Sequence, residues 1–381
     1  MLCYGMTGYQ DACYRALSDL GDELLLVYPG DMDGLPFERS GFADYAQRHV
    51  WTSDAGIWKG EPPGPEVMVP LVRDFAPDVV FMMSWRGNGY RKVMQDQRGK
   101  AVRVLYTENV WHNSPKQWLG RLTHRLYVDP LYDCAFVPSD RAEWFARRLG
   151  FTPDRVIRGA LSGDVDRFER GARSGEELAA RRRFLFSGRL VEHKRPDVLA
   201  AAYQRYRQVV ADPWELVVAG EGPLASVFEG IPGVVSLGFV QPAELSAEMH
   251  RSSCFILQSE IDFYGVVVHE AATAGLPLIV SEGVGAAPAL LQDGCNGWTV
   301  APGNVASLAD AMVRMSSVGA ERLATMSEGS RSLARRLSPR IYATNFHEET
   351  ERRLPGRDLG SAAPGTTRDG RTSRRTEVDV A

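Results

Sequence analysis

The stretch QSEIDFYGVVVHE, residues 258–270, connects an apolar run to a helical pattern. The run before it, CFILQ from residue 254, predicts a strand, and residues from about 266 to 274 predict a helix. Gly275 and Pro277 then end the helix and begin another apolar run, LPLIV. Polar side chains therefore gather at the carboxyl end of a strand, where an open α/β sheet binds its ligands.

Two carboxylates in this stretch, Asp262 and Glu270, have a D-x7-E spacing. Both could face the crevice at the strand end, where backbone N–H groups at the helix start, from Gly265 and Val266, could hold an anion. The helix dipole also favours acidic side chains near a helix start. The two residues alone leave a structural and a binding interpretation equally open.

The surrounding sequence carries further motifs in a fixed order. FLFSGRLVEHK begins at residue 184, WELVVAGEGPL at residue 214 and LLQDGCNGWTV at residue 290. Residues 184–315 resemble the nucleotide-sugar-binding half of a family 4 glycosyltransferase. This resemblance implies an α/β protein of the GT-B fold, with two Rossmann-like domains that face a central cleft.

The resemblance also implies roles for individual residues. Arg189 and Lys194 match the basic pair that holds the donor's diphosphate, and Glu270 matches the carboxylate that binds the ribose hydroxyls. Such a cation pair stabilises a departing diphosphate more than the intact donor. Asp262 is implied to orient the donor sugar, although the family usually has the longer Glu there. Further implied contacts are Gly265 and Val266 with the diphosphate, and Gly220 and Val240 with the nucleotide.

The acceptor side follows the strand VRVLY, which begins at Val102. Many members of the family carry a catalytic-site histidine after this strand, whereas this sequence has Thr107, Glu108 and Asn109. Glu108 could contact the transferred sugar or an acceptor hydroxyl, or it could cap the next loop. His112 could replace the usual histidine if its loop folds inward, but a histidine in a polar loop is more often a surface residue.

The loop with Gly5 and Gly8, which follows the predicted first strand LCYG, is expected by resemblance to face the same cleft. Aromatic faces pack well against sugar rings, so nearby aromatic residues could form a platform. For each one alone, interior packing is the better-supported interpretation. These residues are Trp85, Tyr90, Trp111 and Trp118.

Strand and helix patterns alternate through both halves of the chain, which predicts parallel sheets. Low apolar content predicts a linker and a disordered tail. The predicted organisation is an acceptor-binding domain over 1–168, a linker over 169–182, a donor-binding domain over 183–338, a helix over 339–354 that returns to the first domain, and a disordered tail over 355–381.

The composition is globular, with 44% hydrophobic and 24% charged residues in 381, and the net charge of −4 gives no basic field for nucleic acid. The five cysteines lack a C-x-x-C pair, and the start lacks a signal-peptide pattern, so we expect a cytoplasmic enzyme. No apolar run is long enough to span a membrane. The absence of an evident membrane patch favours a soluble acceptor over a lipid-linked glycan, although short basic or amphipathic surfaces such as RRLGF, residues 147–151, could contact a membrane.

Two further patterns suggest other chemistry. The D-x-D pairs at 31–33 and 164–166 could hold a divalent metal, but Arg189 and Lys194 already supply positive charge. We therefore expect no metal and no cofactor. Residues 220–225 fit a dinucleotide fingerprint, yet the next strand ends without the acid that would bind a ribose, which disfavours an oxidoreductase.

The sequence thus predicts a retaining glycosyltransferase. We expect transfer from a nucleotide-diphosphate sugar, most often a UDP-sugar in this family, to a hydroxyl of a small molecule or saccharide. Antibiotic or polysaccharide biosynthesis would use such a reaction. The alternatives are a nucleotide-sugar 2-epimerase and a non-catalytic protein that has kept only the nucleotide-sugar site.

Overall fold

The computed structural model describes residues 1–4, 6–29, 44–51, 61–83 and 87–355. Within them the chain forms two units, each built on parallel strands with helices between them. None of the described helices is both long and apolar enough to cross a membrane.

Several positions singled out in the sequence lie outside the described residues. They are Gly5, Trp85, the D-x-D pair at 31–33 and the predicted tail from residue 356 onward.

Leu2 joins the strands of the first unit into one sheet. It forms parallel bridges to Val27 on one side and Met82 on the other, so the predicted first strand is reduced to a bridge. The strand at 47–51 was not predicted, because most of its side chains are exposed and polar. The strands are β1 (Leu25–Pro29), β2 (Gln47–Trp51), β3 (Val79–Met82), β4 (Val102–Tyr106), β5 (Cys134–Val137) and β6 (Val156–Arg158).

The helices of this unit follow ordinary capping rules. Ser139 Oγ accepts a hydrogen bond from the Ala142 N–H at 3.3 Å, and Gly150 ends the same helix in the left-handed region, with φ +119°. The helices are α1 (Gly8–Asp19), α2 (Pro65–Phe75), α3 (Asn88–Asp96), α4 (Pro115–Tyr127), α5 (Asp140–Leu149) and α6 (Val165–Phe168).

The second unit is a six-stranded sheet in the order β12-β11-β10-β7-β8-β9. Its central strands are apolar throughout because helices cover both faces. The strands are β7 (Arg183–Ser187), β8 (Glu215–Ala219), β9 (Val234–Gly238), β10 (Cys254–Leu257), β11 (Leu278–Ser281) and β12 (Gly297–Val300).

The segment predicted as a linker, 169–182, contains a short helix. Its Leu178 is fully buried, so one apolar side chain in a polar segment is enough to anchor it. The bounds of the two domains stay a prediction. The helices from here on are α7 (Gly175–Arg181), α8 (Pro196–Val209), α9 (Pro242–His250), α10 (Val266–Thr273), α11 (Ala287–Leu290), α12 (Val305–Ser316), α13 (Ala320–Ala334) and α14 (Pro339–Glu351).

The last helix, α14, packs against the first unit. The ring of Tyr342 lies 5.0 Å from that of Phe136, and the ring of Phe346 lies 5.8 Å from that of Phe81, measured between centroids. The chain therefore returns to the first unit after completing the second, as the resemblance implied. Aromatic rings in such contacts add to the stability gained by burying their area.

Replacement of Phe346 by alanine should lower the free energy of unfolding by about 3–5 kcal/mol, because it removes a buried ring that packs α14 onto the first unit. Ile341→Ala on the same helix is the matched control, since Ile341 is exposed and should cost far less. Urea denaturation followed by circular dichroism measures both. Equal losses would contradict the proposed role of the Phe346 contact.

Candidate active site

The site begins where the strand order of the second unit changes direction. Strand β7 lies between β8, the next strand in sequence, and β10. An open parallel sheet binds ligands at such a switch point, beyond the carboxyl ends of the strands. The loop after β7 carries Arg189 and Lys194, and the loop after β10 carries Asp262.

Lys194 and Asp262 meet at this switch point. Lys194 Nζ forms a salt bridge with Asp262 Oδ2, and both side chains are mostly shielded from solvent. Partial burial strengthens the attraction relative to a surface pair. Arg189 is exposed and forms no salt bridge with a described carboxylate, so its guanidinium is available to an incoming anion.

The buried side chain of Gln258 fixes the backbone under Lys194. Its Nε2 donates hydrogen bonds to the carbonyl oxygens of Lys194, at 2.8 Å, and Arg195, at 2.9 Å. The Glu260 N–H also donates to the His193 carbonyl at 2.8 Å. Sequence analysis could not predict this role, because a glutamine at a strand end has no characteristic spacing to the backbone carbonyl groups that it contacts.

A second loop, near Val284, holds Asp262 from the other side. The Asp262 N–H donates to the Gly283 carbonyl, and the Gly285 N–H donates to the Asp262 carbonyl, both at 3.0 Å. Gly265 precedes α10 with φ +83°, and a Cβ there would lie 2.8 Å from Val284 Cγ1. Only glycine suits this position.

No side chain of the described residues caps the start of α10. The Val268 N–H donates to the Gly265 carbonyl at 2.9 Å, and the N–H groups of Val266 and Val267 stay available as donors at the positive end of the helix dipole. The start of α10 lies directly after the loop that carries Asp262, at the same sheet edge as Arg189 and Lys194. Backbone donors and cationic side chains thus converge on one edge, which suits a diphosphate.

Glu270 lies further along α10, partly covered by the first unit. The pKa of its carboxyl is raised to about 8, chiefly by burial and then by the negative charge of Asp164, while Arg167 opposes the shift. Arg167 Nε itself donates to Asp164 Oδ2 at 3.0 Å. Glu270 is therefore largely protonated at neutral pH in the free protein.

His269, which precedes Glu270, links the two units. Its Nδ1 accepts a hydrogen bond from the Gly163 N–H at 2.7 Å, and its Nε2–H donates to the Ala334 carbonyl at 2.9 Å. Burial lowers the pKa of the imidazole to about 4, so the ring is neutral. A Cβ on Gly163 would lie 3.1 Å from Nδ1. The loop after β6 therefore approaches α10 closely, which the sequence did not indicate.

Glu108 faces this site from the first unit. Burial raises the pKa of its carboxyl, and so does the nearby charge of Asp262, whereas the Tyr106 hydroxyl, which donates at 3.2 Å, lowers it. The pKa of Tyr9 is raised by its own burial and then by the charges of Glu108 and Glu270. These four ionisable groups therefore share one cleft.

Thr107 has the loop-capping role that was one alternative for Glu108. Its Oγ1 accepts hydrogen bonds from the Asn109 backbone N–H at 3.3 Å and from the Asn109 side chain at 3.1 Å. Glu108 instead bonds to Tyr106, as described above. This arrangement favours the alternative in which the Glu108 carboxyl contacts a ligand.

The remaining predicted donor residues lie at the same sheet edge. Gly220 follows β8, and a Cβ there would lie 1.9 Å from the Gly188 carbonyl oxygen, so the loops after β7 and β8 touch through their backbones. Val240 is half-buried after β9. Gly8 begins α1, directly before Tyr9, and its backbone is therefore close to the cleft.

Three other predicted acceptor-side residues have different surroundings. His112 is exposed, and its backbone N–H donates to Gln117 Oε1 at 2.7 Å. Tyr90 is fully buried and donates to the Cys3 carbonyl at 2.9 Å, which rules it out as a sugar platform. Trp111 is buried with its ring edge-on to Trp118, at 5.5 Å between centroids. Interior packing explains Tyr90 and Trp111.

In the part of the chain that the structure describes, no group of three or more His, Cys, Asp or Glu side chains is arranged to hold a metal ion. The second D-x-D pair, at 164–166, lies in this part. Its Asp164 forms a salt bridge with Arg167.

Comparison with known proteins finds a family model that matches the second unit. Residues 181–317 match the model of a family described as glycosyl transferases group 1. They include Lys194, Asp262 and Glu270, so the predicted resemblance to a glycosyltransferase is confirmed where the site lies.

A glycogen synthase of Mycobacterium tuberculosis is 33% identical to this chain over 205 residues. The aligned residues cover 52% of this chain and 46% of that protein. The chain thus spans less than half the length of this curated relative.

Solved structures extend the likeness to both units. HepE from Anabaena, solved with UDP and glucose, gives a TM-score of 0.65 at 15% identity, over 92% of this chain and 98% of that one. A glycosyltransferase from Rickettsia africae gives a TM-score of 0.71 at 12% identity, over 92% and 96%. The predicted GT-B fold, with two Rossmann-like domains, is confirmed.

Acidification should destabilise the protein through His269. A histidine whose folded pKa is about 4, below its ordinary 6.5, contributes stability above pH 6.5 that is lost as the pH falls toward 4. His269→Gln should therefore lower the free energy of unfolding at pH 7 but reduce its loss between these two pH values. Chemical denaturation at a series of pH values measures this.

The exposed His112 provides the control for that series. His112→Gln should leave both the stability at pH 7 and its acid dependence unchanged. If His269→Gln keeps the full acid dependence of the wild type, the bridge between Gly163 and Ala334 does not require a neutral imidazole.

Proposed function

We propose that this protein is a retaining glycosyltransferase that moves a sugar from a nucleotide-diphosphate sugar to an acceptor hydroxyl. The observation that carries the proposal is the Lys194–Asp262 pair at the sheet's switch point, with Arg189 exposed beside it. The GT-B fold and the family match of residues 181–317 support it. We propose UDP as the nucleotide, since the structurally similar HepE was solved with UDP and glucose.

Donor binding would exchange one partner of Lys194 for another. In the free protein Asp262 neutralises the lysine, and a diphosphate with more negative charge would compete for it. Release of Asp262 would let its carboxylate accept hydrogen bonds from the donor sugar. Lys194 and Arg189 would then stabilise the diphosphate as it departs, without the need for a metal.

The acceptor would enter from the first unit, where Glu108 lies. Its raised pKa makes it able to donate a hydrogen bond to the sugar or exchange a proton with an acceptor hydroxyl. We propose that the hydroxyl attacks from the face on which the diphosphate departs, which retains the configuration of the sugar. The acceptor is a small molecule or a saccharide, and the reaction takes place in the cytoplasm.

Lys194→Ala should reduce turnover by about 100-fold or more while the protein stays folded, because the lost cation stabilises charge that develops in the transition state. The measurement is a mass-spectrometric screen with UDP-, GDP- and dTDP-sugars and a panel of small-molecule and lipid-linked acceptors. The matched control is Lys100→Ala, since Lys100 is exposed, pairs with Asp96 and precedes β4, whereas Glu108 follows that strand at the opposite edge of the sheet.

The outcomes of this screen separate the possible functions. A glycosylated product with wild-type protein supports transfer, and near-normal turnover by Lys194→Ala would remove that residue's role. Interconversion of the donor sugar without transfer would make the protein an epimerase. Nucleotide-sugar binding with neither product nor hydrolysis across the whole panel would indicate a non-catalytic binding protein.

The affinity for UDP should rise with pH up to about 8. The ribose hydroxyls would donate to an ionised Glu270, whose pKa in the free protein is about 8, so binding at neutral pH must first remove its proton. Calorimetry at pH 7 in buffers of different ionisation enthalpy should therefore detect proton release. Glu270→Gln should weaken binding and abolish this release.

Glu321→Gln, on α13, is the control for a loss of negative charge, and it should retain both affinity and proton release. UDP binding by the wild type with no proton release at pH 7 would show that Glu270 stays protonated in the complex. The ribose contact would then need another acceptor.

A further inference from the structure

Helix α4 turns its apolar side away from the protein. None of its residues is buried, and those that are partly covered are small or polar, namely Gln117, Gly120, Thr123 and His124. Leu119, Leu122 and Leu126 are 62%, 79% and 72% exposed. An amphipathic helix on a globular protein normally has the opposite orientation.

The inward side of α4 explains this orientation. Gly120 allows close approach to α5, where a Cβ on the glycine would lie 3.5 Å from Leu149 Cδ1. Gln117 Nε2 donates to the Val110 carbonyl at 2.8 Å, and the His124 ring lies against Gly150. Polar and small side chains thus make these contacts with the protein, the Trp118 ring adds one to Trp111, and the three leucines are left mostly exposed.

Two exposed tryptophans extend the apolar side. The Arg148 guanidinium carbon lies 4.1 Å from the Trp144 ring centroid and 5.9 Å from that of Trp118, so the two indoles are neighbours. Indole rings suit the boundary between water and lipid because one edge is polar and the rest is apolar. We define the α4 surface as Trp118, Leu119, Leu122, Leu126, Tyr127 and Trp144.

The charge around the α4 surface is positive, in contrast to the net charge of −4 of the whole chain. Helix α4 contains no Asp or Glu. Lys116, Arg121 and Arg125 are exposed and form no salt bridge with a described carboxylate. An apolar stripe flanked by unneutralised cations is the pattern of a helix that lies in the interface of an anionic membrane.

We propose that the α4 surface docks onto an anionic lipid bilayer, with the three leucines inserted and the basic side chains at the headgroups. Charge favours this occupant over a second copy of the chain, because a symmetric dimer would bring the same arginines close to each other. The expectation of a soluble acceptor rested on the absence of an evident membrane patch. The α4 surface is such a patch.

The α4 surface is connected to the acceptor side of the cleft. Ser114 caps α4, with its Oγ accepting from the Gln117 N–H at 3.3 Å, and the short loop 107–114 leads back to Glu108. Docking through α4 would hold this side of the cleft near the bilayer surface. An acceptor carried by a lipid would then be within reach without leaving the membrane.

Flotation of the full chain with vesicles tests the docking. Wild-type protein should bind vesicles of phosphatidylglycerol and phosphatidylcholine, bind pure phosphatidylcholine more weakly, and dissociate as salt is raised. Leu122→Gln with Leu126→Gln should lower partitioning about tenfold or more. Arg121→Gln with Arg125→Gln should lower it about fivefold per residue, on the anionic vesicles only.

Val209→Gln is the matched control, because this valine is 66% exposed at the end of α8 in the second unit. It should bind as the wild type does, and circular dichroism should show all variants folded. The assay contains no donor or acceptor, so its outcome does not depend on the proposed transfer reaction.

Two results would overturn the proposal. One is equal partitioning of the wild type and the double leucine variant, which would assign any binding to another part of the chain. The other is no vesicle binding together with a dimer, seen by sedimentation, that the leucine variant loses. The α4 surface would then be an interface between two copies.

Discussion

A buried, neutral imidazole sets the distance between the two halves of the cleft. His269 accepts from Gly163 of the first unit and donates to Ala334 at the end of α13, and the bond from Gly163 requires the uncharged ring because Nδ1 must keep its lone pair. The next residue along the helix is Glu270, whose position is therefore tied to the first unit through a single peptide bond. A rotation of α10 or a shift of the loop after β6 would break a buried hydrogen bond, which costs about 1–3 kcal/mol.

The cleft formed in this way crowds carboxylates together. Glu108 and Asp262 oppose each other from the two units, and Asp164 lies near Glu270. The raised pKa of about 8 lets Glu270 hold a proton instead of charge, and the pKa of Glu108 is raised as well by burial and by the charge of Asp262. Diphosphate binding would draw Lys194 away from Asp262 and strengthen the field at Glu108. The crowding of carboxylates therefore disfavours negative charge on Glu108.

The sequence predicted those parts of the structure that local pattern determines. The β10 strand and the α10 helix lie within one residue of their predicted ends, because an apolar run, a glycine and a helical period each act locally. Strand β2 was missed because it lies at a sheet edge with exposed polar side chains. The partners of His269 and Gln258 are far away in sequence, so no spacing could reveal them. The spacing of apolar residues in a helix also does not show whether they face the protein or the solvent. The leucines of α4 have the same spacing in either case.

The exposed leucines of α4 cost the protein stability that their burial would provide. Burial of a leucine side chain contributes about 1.5–3 kcal/mol, so three exposed leucines forgo an amount comparable to the whole stability of an ordinary domain. The neighbouring elements of the first unit differ, since strands β3, β4 and β5 are largely buried, α2 buries Met68 and Val72, and α5 buries Phe145 and Leu149. The net charge of −4 does not reveal the basic side chains of α4 either, because acidic residues elsewhere in the chain outnumber them. A face that combines exposed leucines with unneutralised arginines gains stability only when something apolar and anionic covers it.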